Sequence, residues 1–363
     1  MKTTAIARRA ELLRLYTGLP WQSALRRVMA APPGAPLIQQ PKTDQLLLEA
    51  QVMRALAWRH ISTIHPWGIE YVDPRPDQLR IRFGPDPAAR RYHEETQVLD
   101  LAEVLLPRTD GHGDVMGIPG VRPHVEDGLV VLRMLGTSAS VTLLGLDANE
   151  WMKAVRYQDL RLAALGMTSC HRALPDQRHP AESRSRTAAR RGRGAMTEAS
   201  AWMASGLLRR VGLIRTLGIP LAVTGWIGDL ERAGGEHWII DPTFAEGQNR
   251  TGHRRLMALL SAPGWGMPLT TREEHCNCHL PPGFSDQCTI FATGSAEWPG
   301  RLQVRAIHRR GERLSQIQED SPALYAAQRL LHRAVPPWVD RWVERESSGV
   351  SGVAALTGPA PTA

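Results

Sequence analysis

The chain has 363 residues, 42% of them apolar, and a net charge of +8. That is enough for two domains with sizeable cores, and it excludes a wholly disordered chain. No run approaches the ~18 uncharged apolar residues of a membrane span, and the charged start "MKTTAIARRAELLRLY" does not read as a secretory leader, so a cytoplasmic location with no membrane partner is expected.

Residues 5–30 predict a pair of helices. "IARRAELLRLY" carries Ile6, Leu12, Leu13 and Tyr16 at helical spacing, Gly18 ends it, and Pro20 opens "WQSALRRVM". A helix pair with a short glycine turn is also the outline of a helix-turn-helix. "APPGAP" marks a linker, so residues 1–40 form an N-terminal helical hairpin and its linker.

A first α+β unit is expected over 41–166. "TDQLLLEAQVMRALAWRH" predicts a helix, and "GIEYVDPRPDQLRIRFG" a hairpin turned at "DPRPD". "DPAARRYHEETQVLDLAEVLL" predicts a second helix. "GIPGVRPHVEDGLVVLRMLG" predicts a second hairpin turned at Asp127-Gly128, followed by the strand "SASVTLLGLD" and the helix "ANEWMKAVRYQDLRLAAL". Residues 167–195 are rich in Arg, Ser and Gly and predict a flexible linker.

The order then recurs over 196–346: the helix "TEASAWMASGLLRRVGLIRTL", two strands around a Gly-Gly turn, the helix "GHRRLMALL", a hairpin through the cysteine stretch, the strand "GRLQVRAIH" and the helix "SPALYAAQRLLHRAV". Gly68-Ile69 matches Gly218-Ile219, and Gly117-Ile118-Pro119 matches Gly266-Met267-Pro268. "LVVLRMLG" matches "QCTIFATG". The fold expected is α+β: two similar helix–hairpin–helix–hairpin units, antiparallel sheets with helices packed on them, after the N-terminal helical pair. Residues 347–363 read as a disordered tail. The duplicated order resembles, by topology alone, the core of LAGLIDADG homing endonucleases. That family ends its signature helix in a metal-binding acid, whereas the helix ends here are "ALAWRH" and "RRVGLIRTL", so nuclease activity is not carried over.

The most specific chemistry lies in "EEHCNCHLPPGFSDQC", residues 273–288. Cys276, Cys278 and Cys288 offer three thiolates, with His275 or His279 as a fourth ligand, which suits tetrahedral zinc. The stretch stands where the first unit has its Asp-Gly turn, so a metal there would staple a lengthened hairpin. Unligated thiols and a disulfide are the other readings. A catalytic zinc needs an open position and a base, and Glu273 and Glu274 stand at no recognised spacing for that role.

Charge carries the second reading. From Arg172 to Arg215 there are ten arginines against three acids, a local excess of +7 that places most of the net charge in one stretch. Arg184, Arg186, Arg190, Arg191 and Arg193 are its densest part and are candidates for phosphate contacts. Forty-one arginines against three lysines also fit codon usage in a high-GC bacterium, which weakens any inference from arginine over lysine. Two further features are Cys170 beside His171, and "DGHGD", where Asp110, His112 and Asp114 offer a metal or acid–base loop. No phosphate-binding glycine loop and no nucleophile elbow is present in the sequence.

The reading is therefore a non-catalytic, nucleic-acid-associated protein with a structural zinc. The alternatives are a metal-dependent enzyme using the Cys/His loop or the Asp110–Asp114 loop, and a two-repeat scaffold that binds another protein. The tests that separate them are salt-dependent DNA binding and the geometry around the cysteines.

Overall fold

Helix α1 (Ala5–Thr17) begins where the Thr4 hydroxyl accepts the Ala7 amide, and it ends at Gly18, whose φ of 80° lets its N–H return to the Arg14 carbonyl. A Cβ on Gly18 would lie 2.7 Å from the Glu70 carbonyl oxygen, so this turn is also a point of close backbone approach. Helix α2 (Trp21–Ala30) follows Pro20. The pair does not stand apart. Leu13 and Tyr16 are fully buried, and Tyr16 donates to the Leu259 carbonyl across 243 positions of sequence at 2.7 Å. Residues of this pair thus share one continuous apolar core with both sheet regions, as far as the described residues extend.

The computed structural model describes residues 4–57, 66–84, 94–173, 177–184, 198–217, 219–222, 237–243, 252–276, 287–307, 338–339 and 341. The expected C-terminal helix and tail lie outside them.

The first α/β region runs through α3 (Thr43–Ala57), β1 (Ile69–Pro74), β2 (Gln78–Phe83), α4 (Glu94–Leu105), a short pair β3 (Arg108–Thr109) and β4 (Val115–Met116), then β5 (Val121–Glu126), β6 (Leu129–Met134), β7 (Ser140–Leu144) and α5 (Ala148–Ala164). Strand β2 shows why it forms an edge of the core. Leu79, Ile81 and Phe83 are buried, while Gln78, Arg80 and Arg82 alternate with them on the other face. Asp127 and Gly128 turn β5 into β6 with φ of 50° and 74°, the two left-handed residues a two-residue hairpin needs.

The sheet order is β1-β2-β7-β6-β5. Sequence reading expects antiparallel sheets. The sheet is in fact mixed, because β7 turns back from β6 and inserts beside β2 in parallel. Central position explains the composition of β7: Ser140 to Leu143 are all buried, so simple alternation is lost.

The second region starts with α6 (Glu198–Leu208) and α7 (Val211–Leu217), read from sequence as one helix. A turn at Arg209-Arg210 breaks it, where Arg210 donates to the carbonyls of Gly206, Trp265 and Gly266. The rest is β8 (Ile219–Ala222), β9 (His237–Thr243), α8 (Gly252–Leu260), β10 (Thr270–Cys276), β11 (Gln287–Thr293) and β12 (Arg301–Ile307). Its sheet order is β10-β11-β12-β9-β8, with β9 and β12 parallel and the other pairs antiparallel.

Helices α3 and α6 pack against each other along their lengths. Between them lies a buried cluster. Glu49 of α3 accepts from Arg209 at 2.6 and 2.7 Å and from the Ser205 hydroxyl at 2.7 Å, while Gln45 donates to Glu49 at 2.8 Å. Arg209 also donates to the carbonyls of Gln39 and Arg75. With Glu49 0% and Arg209 1% exposed, every charge here is compensated by a partner, as burial requires.

Within the expected linker over 167–195, residues 168–173 and 177–184 are held by contacts to the first sheet region. The Thr109 amide bonds to the Thr168 carbonyl, the Cys170 amide to the Pro107 carbonyl, and buried Arg122 pairs with Glu182 at 2.9 Å. A buried acid matched to a buried arginine outweighs the loop-like composition around it.

Candidate metal and nucleic-acid sites

The cysteine stretch closes the β10–β11 hairpin. The two strands pair antiparallel, with Glu274 opposite Ile290, His275 opposite Thr289, and Cys276 opposite Cys288. Alternation along the strands then sorts the residues by face. Cys276 and Cys288 fall on the face that carries Ile290 and Ala292, which are 3% and 0% exposed, and Glu274, whose carboxylate takes a 2.6 Å bond from Arg254 of α8. His275 falls on the opposite face. Its exposed ring meets Phe291 edge-on at 5.7 Å, and the Arg301 guanidinium stacks 3.9 Å over the same Phe291.

Of the five residues read as metal ligands, the fold therefore brings the positions of Cys276 and Cys288 together and puts His275 on the other side of the hairpin. Cys278 and His279 lie outside the described residues. Among the described residues no group of three or more Cys, His, Asp or Glu is arranged to hold a metal ion. The Glu274 carboxylate is engaged with Arg254 and lies 3.7 Å from His253, which ties it to α8 rather than leaving it for base chemistry.

The basic stretch divides into structural and free charge. Arg172 pairs with Asp159 at 2.7 Å. Arg209 and Arg210 are buried, and burial lowers the Arg210 guanidinium to about 10, still charged at neutral pH. Arg184 is exposed at the end of a short helical turn over 180–184. Arg186, Arg190, Arg191 and Arg193 lie outside the described residues. The excess of +7 counted from sequence thus overstates the charge available to a partner, since two of its ten arginines are consumed inside the core.

The Asp110–Asp114 loop is the turn between β3 and β4. The Asp110 carboxylate accepts the His112 amide at 2.8 Å and the Asp114 amide at 2.9 Å, and these bonds hold its pKa below the usual carboxylate range. The Cys170–His171 pair separates. The Cys170 thiol is buried, and its near neighbour is the His179 Nδ1 at 3.7 Å; burial pushes it up to about 11, so it is a poor nucleophile at neutral pH. His171 instead faces Asp159 at 3.4 Å, and burial lowers its pKa.

One feature escaped sequence reading although its signal was present. Glu182 accepts the His179 amide at 2.8 Å, and the His179 ring accepts the Ala181 amide at 3.2 Å. This is a capping box in "HPAE" with histidine as the cap, and the acid three positions on was the clue. Comparison with family models, with curated proteins and with solved structures finds no match for the chain.

Proposed function

We propose that the chain is a non-catalytic nucleic-acid-associated protein, built on a duplicated α/β body and carrying a zinc-stapled hairpin. Three observations support duplication. Both sheets place their strands, taken in chain order, as first-second-fifth-fourth-third, with the second and fifth parallel. Strands β1 and β8 begin at the matched residues Ile69 and Ile219. The Ile118 amide bonds to Leu105, last residue of α4, and the Met267 amide to Leu260, last residue of α8, at 3.2 and 2.6 Å. Glycine precedes both for one reason: a Cβ on Gly117 would lie 2.2 Å from the Leu106 oxygen, and one on Gly266 2.4 Å from the Leu260 oxygen.

The observation that carries the zinc staple is the pairing of Cys276 with Cys288. Directly opposed residues lie about 4.5–5.5 Å apart at Cα, close enough for both thiolates to reach one ion. Cys278 would add a third thiolate and His279 the fourth ligand, since His275 occupies the other face. Elemental analysis of purified protein tests this: one zinc per chain is expected, lost in Cys276→Ser and Cys288→Ser. Zinc retained at full occupancy in both variants sinks the staple.

Nucleic-acid association rests on the arginines from Arg184 to Arg193, a run without an acid between Ser183 and Thr197. The contacts supply affinity through phosphates and carry no sequence information. Changing Arg184, Arg186, Arg190, Arg191 and Arg193 to Gln should flatten the salt dependence of DNA binding; each lost phosphate contact takes about 0.9 from the slope of log K against log salt. Unchanged binding in that variant overturns the assignment.

A second reading, a two-repeat protein-interaction scaffold, is favoured by helix α5. Met152, Tyr157 and Leu160 are 52%, 58% and 65% exposed along its outer face. Self-association lost in Tyr157→Glu, with DNA binding absent in the parent, would move the conclusion to this reading.

A further inference from the structure

The register of β10 and β11 reaches beyond metal binding. A disulfide needs Cα atoms about 4.4–6.8 Å apart. Directly opposed residues of an antiparallel pair sit at about 4.5 or 5.5 Å, according to whether they exchange hydrogen bonds, and both values fall inside that window. Cys276 and Cys288 are opposed in this way and share a face. They are also the last residue of β10 and the second of β11, at the mouth of the hairpin, where ten residues (277–286) intervene between the strands. In the first sheet region the equivalent strands are fixed by the tight Asp127-Gly128 turn, which needs no further closure.

We infer that Cys276 and Cys288 form a cross-strand disulfide under peroxide, so that the hairpin has two alternative closures, a metal-bound dithiolate and an oxidised bridge. One thiolate attacks an oxygen of hydrogen peroxide, breaks the O–O bond, releases hydroxide and becomes a sulfenic acid. The opposed thiolate attacks that sulfur, forms the S–S bond and expels a second hydroxide. The two thiol protons convert both hydroxides to water, and the two electrons lost by sulfur reduce the peroxide. A bound zinc ion would leave as its thiolates are consumed. The disulfide rests on the strand register alone, and its competition with metal rests on the zinc reading above.

Cys170 provides an internal control. It is buried, with its thiol pushed up to about 11, and should stay reduced under mild peroxide.

The experiment uses the full chain, chelator-stripped and zinc-loaded, treated with hydrogen peroxide, digested without reduction and mapped by mass spectrometry. The expected product is a linked pair of peptides carrying Cys276 and Cys288, formed at least about tenfold more slowly when zinc is loaded, with one zinc released per bridge. Cys278→Ser should retain the bridge and Cys276→Ser should lose it. A bridge from Cys288 to Cys278, a bridge only between chains, or oxidation of Cys288 to sulfinic acid without any bridge overturns the proposal. Bridge formation at the same rate with and without zinc keeps the disulfide and sinks the zinc reading, so the two failures are distinguishable.

Discussion

The two hairpins that end each sheet meander, β5–β6 and β10–β11, solve one problem in opposite ways. The first carries its register in two residues, Asp127 and Gly128, whose left-handed conformations leave no slack. The second has a ten-residue connection, with Cys276 opposite Cys288 at its mouth. Both sheets share one strand order, and they differ in the length of this connection, which closes at little entropic cost.

The comparison breaks first at the contact the two regions share. Glu49 and Arg209 are both buried, so Arg209→Leu leaves an unpaired carboxylate in the core. A loss of about 3–5 kcal/mol is expected by urea unfolding, with much of it recovered in the double variant Glu49→Leu/Arg209→Leu. Both regions should melt together in the single variant. Loss confined to one of them means that they fold independently.

Next in size is the proposed zinc staple. Zinc at one hundred times its dissociation constant stabilises by about 2.7 kcal/mol, and a chelator removes that stabilisation. Hydrogen exchange should then rise in β10 and β11 and stay unchanged in β5 and β6. Equal loosening of both hairpins contradicts a local staple.

The paired glycines sharpen the equivalence. Gly117→Ala and Gly266→Ala press a methyl into backbone at 2.2 and 2.4 Å, and each should cost roughly 1–3 kcal/mol in thermal or urea unfolding. Similar losses fit equivalent roles. A neutral Gly266→Ala breaks the match.

The smallest effect is on acid stability. Burial raises the Glu182 carboxyl, but bonds from Arg122 and from the Gly120 and His179 amides outweigh it, and the net pKa lies below the usual carboxylate range. A depressed acid contributes stability above its unfolded pKa of about 4.3 and loses it as pH falls further. His171, lowered by burial, acts in the same direction from its unfolded value of about 6.5 downward. Glu182→Gln should therefore flatten the fall of the urea midpoint from about pH 5 to pH 3.

Much of the architecture was legible in the sequence because local rules governed it. Gly18 and Pro20 separate α1 from α2, "DPRPD" turns β1 into β2, and alternation marks β2. What escaped depended on distant partners. The parallel placement of β7 beside β2 has no local signal, since order within a sheet is set by packing. The break after Leu208 hides in a run that scans as one helix, because what ends it are carbonyls of Trp265 and Gly266. The basic stretch misled for the same reason: composition counts Arg209 as free charge, and only the position of Glu49, 160 residues earlier, removes it. For the candidate site, spacing suggested Cys276 and Cys288 as partners, and strand register then separated His275 from them.

That 160-residue separation also bears on synthesis. At about 5–20 residues per second, Arg209 leaves the ribosome roughly 8–30 s after Glu49. Through that interval Glu49 has Gln45 but neither Ser205 nor Arg209, and the flank of α3 that packs on α6 has no α6 to meet. A chain that ends between the two residues lacks the arginine that compensates the Glu49 carboxylate.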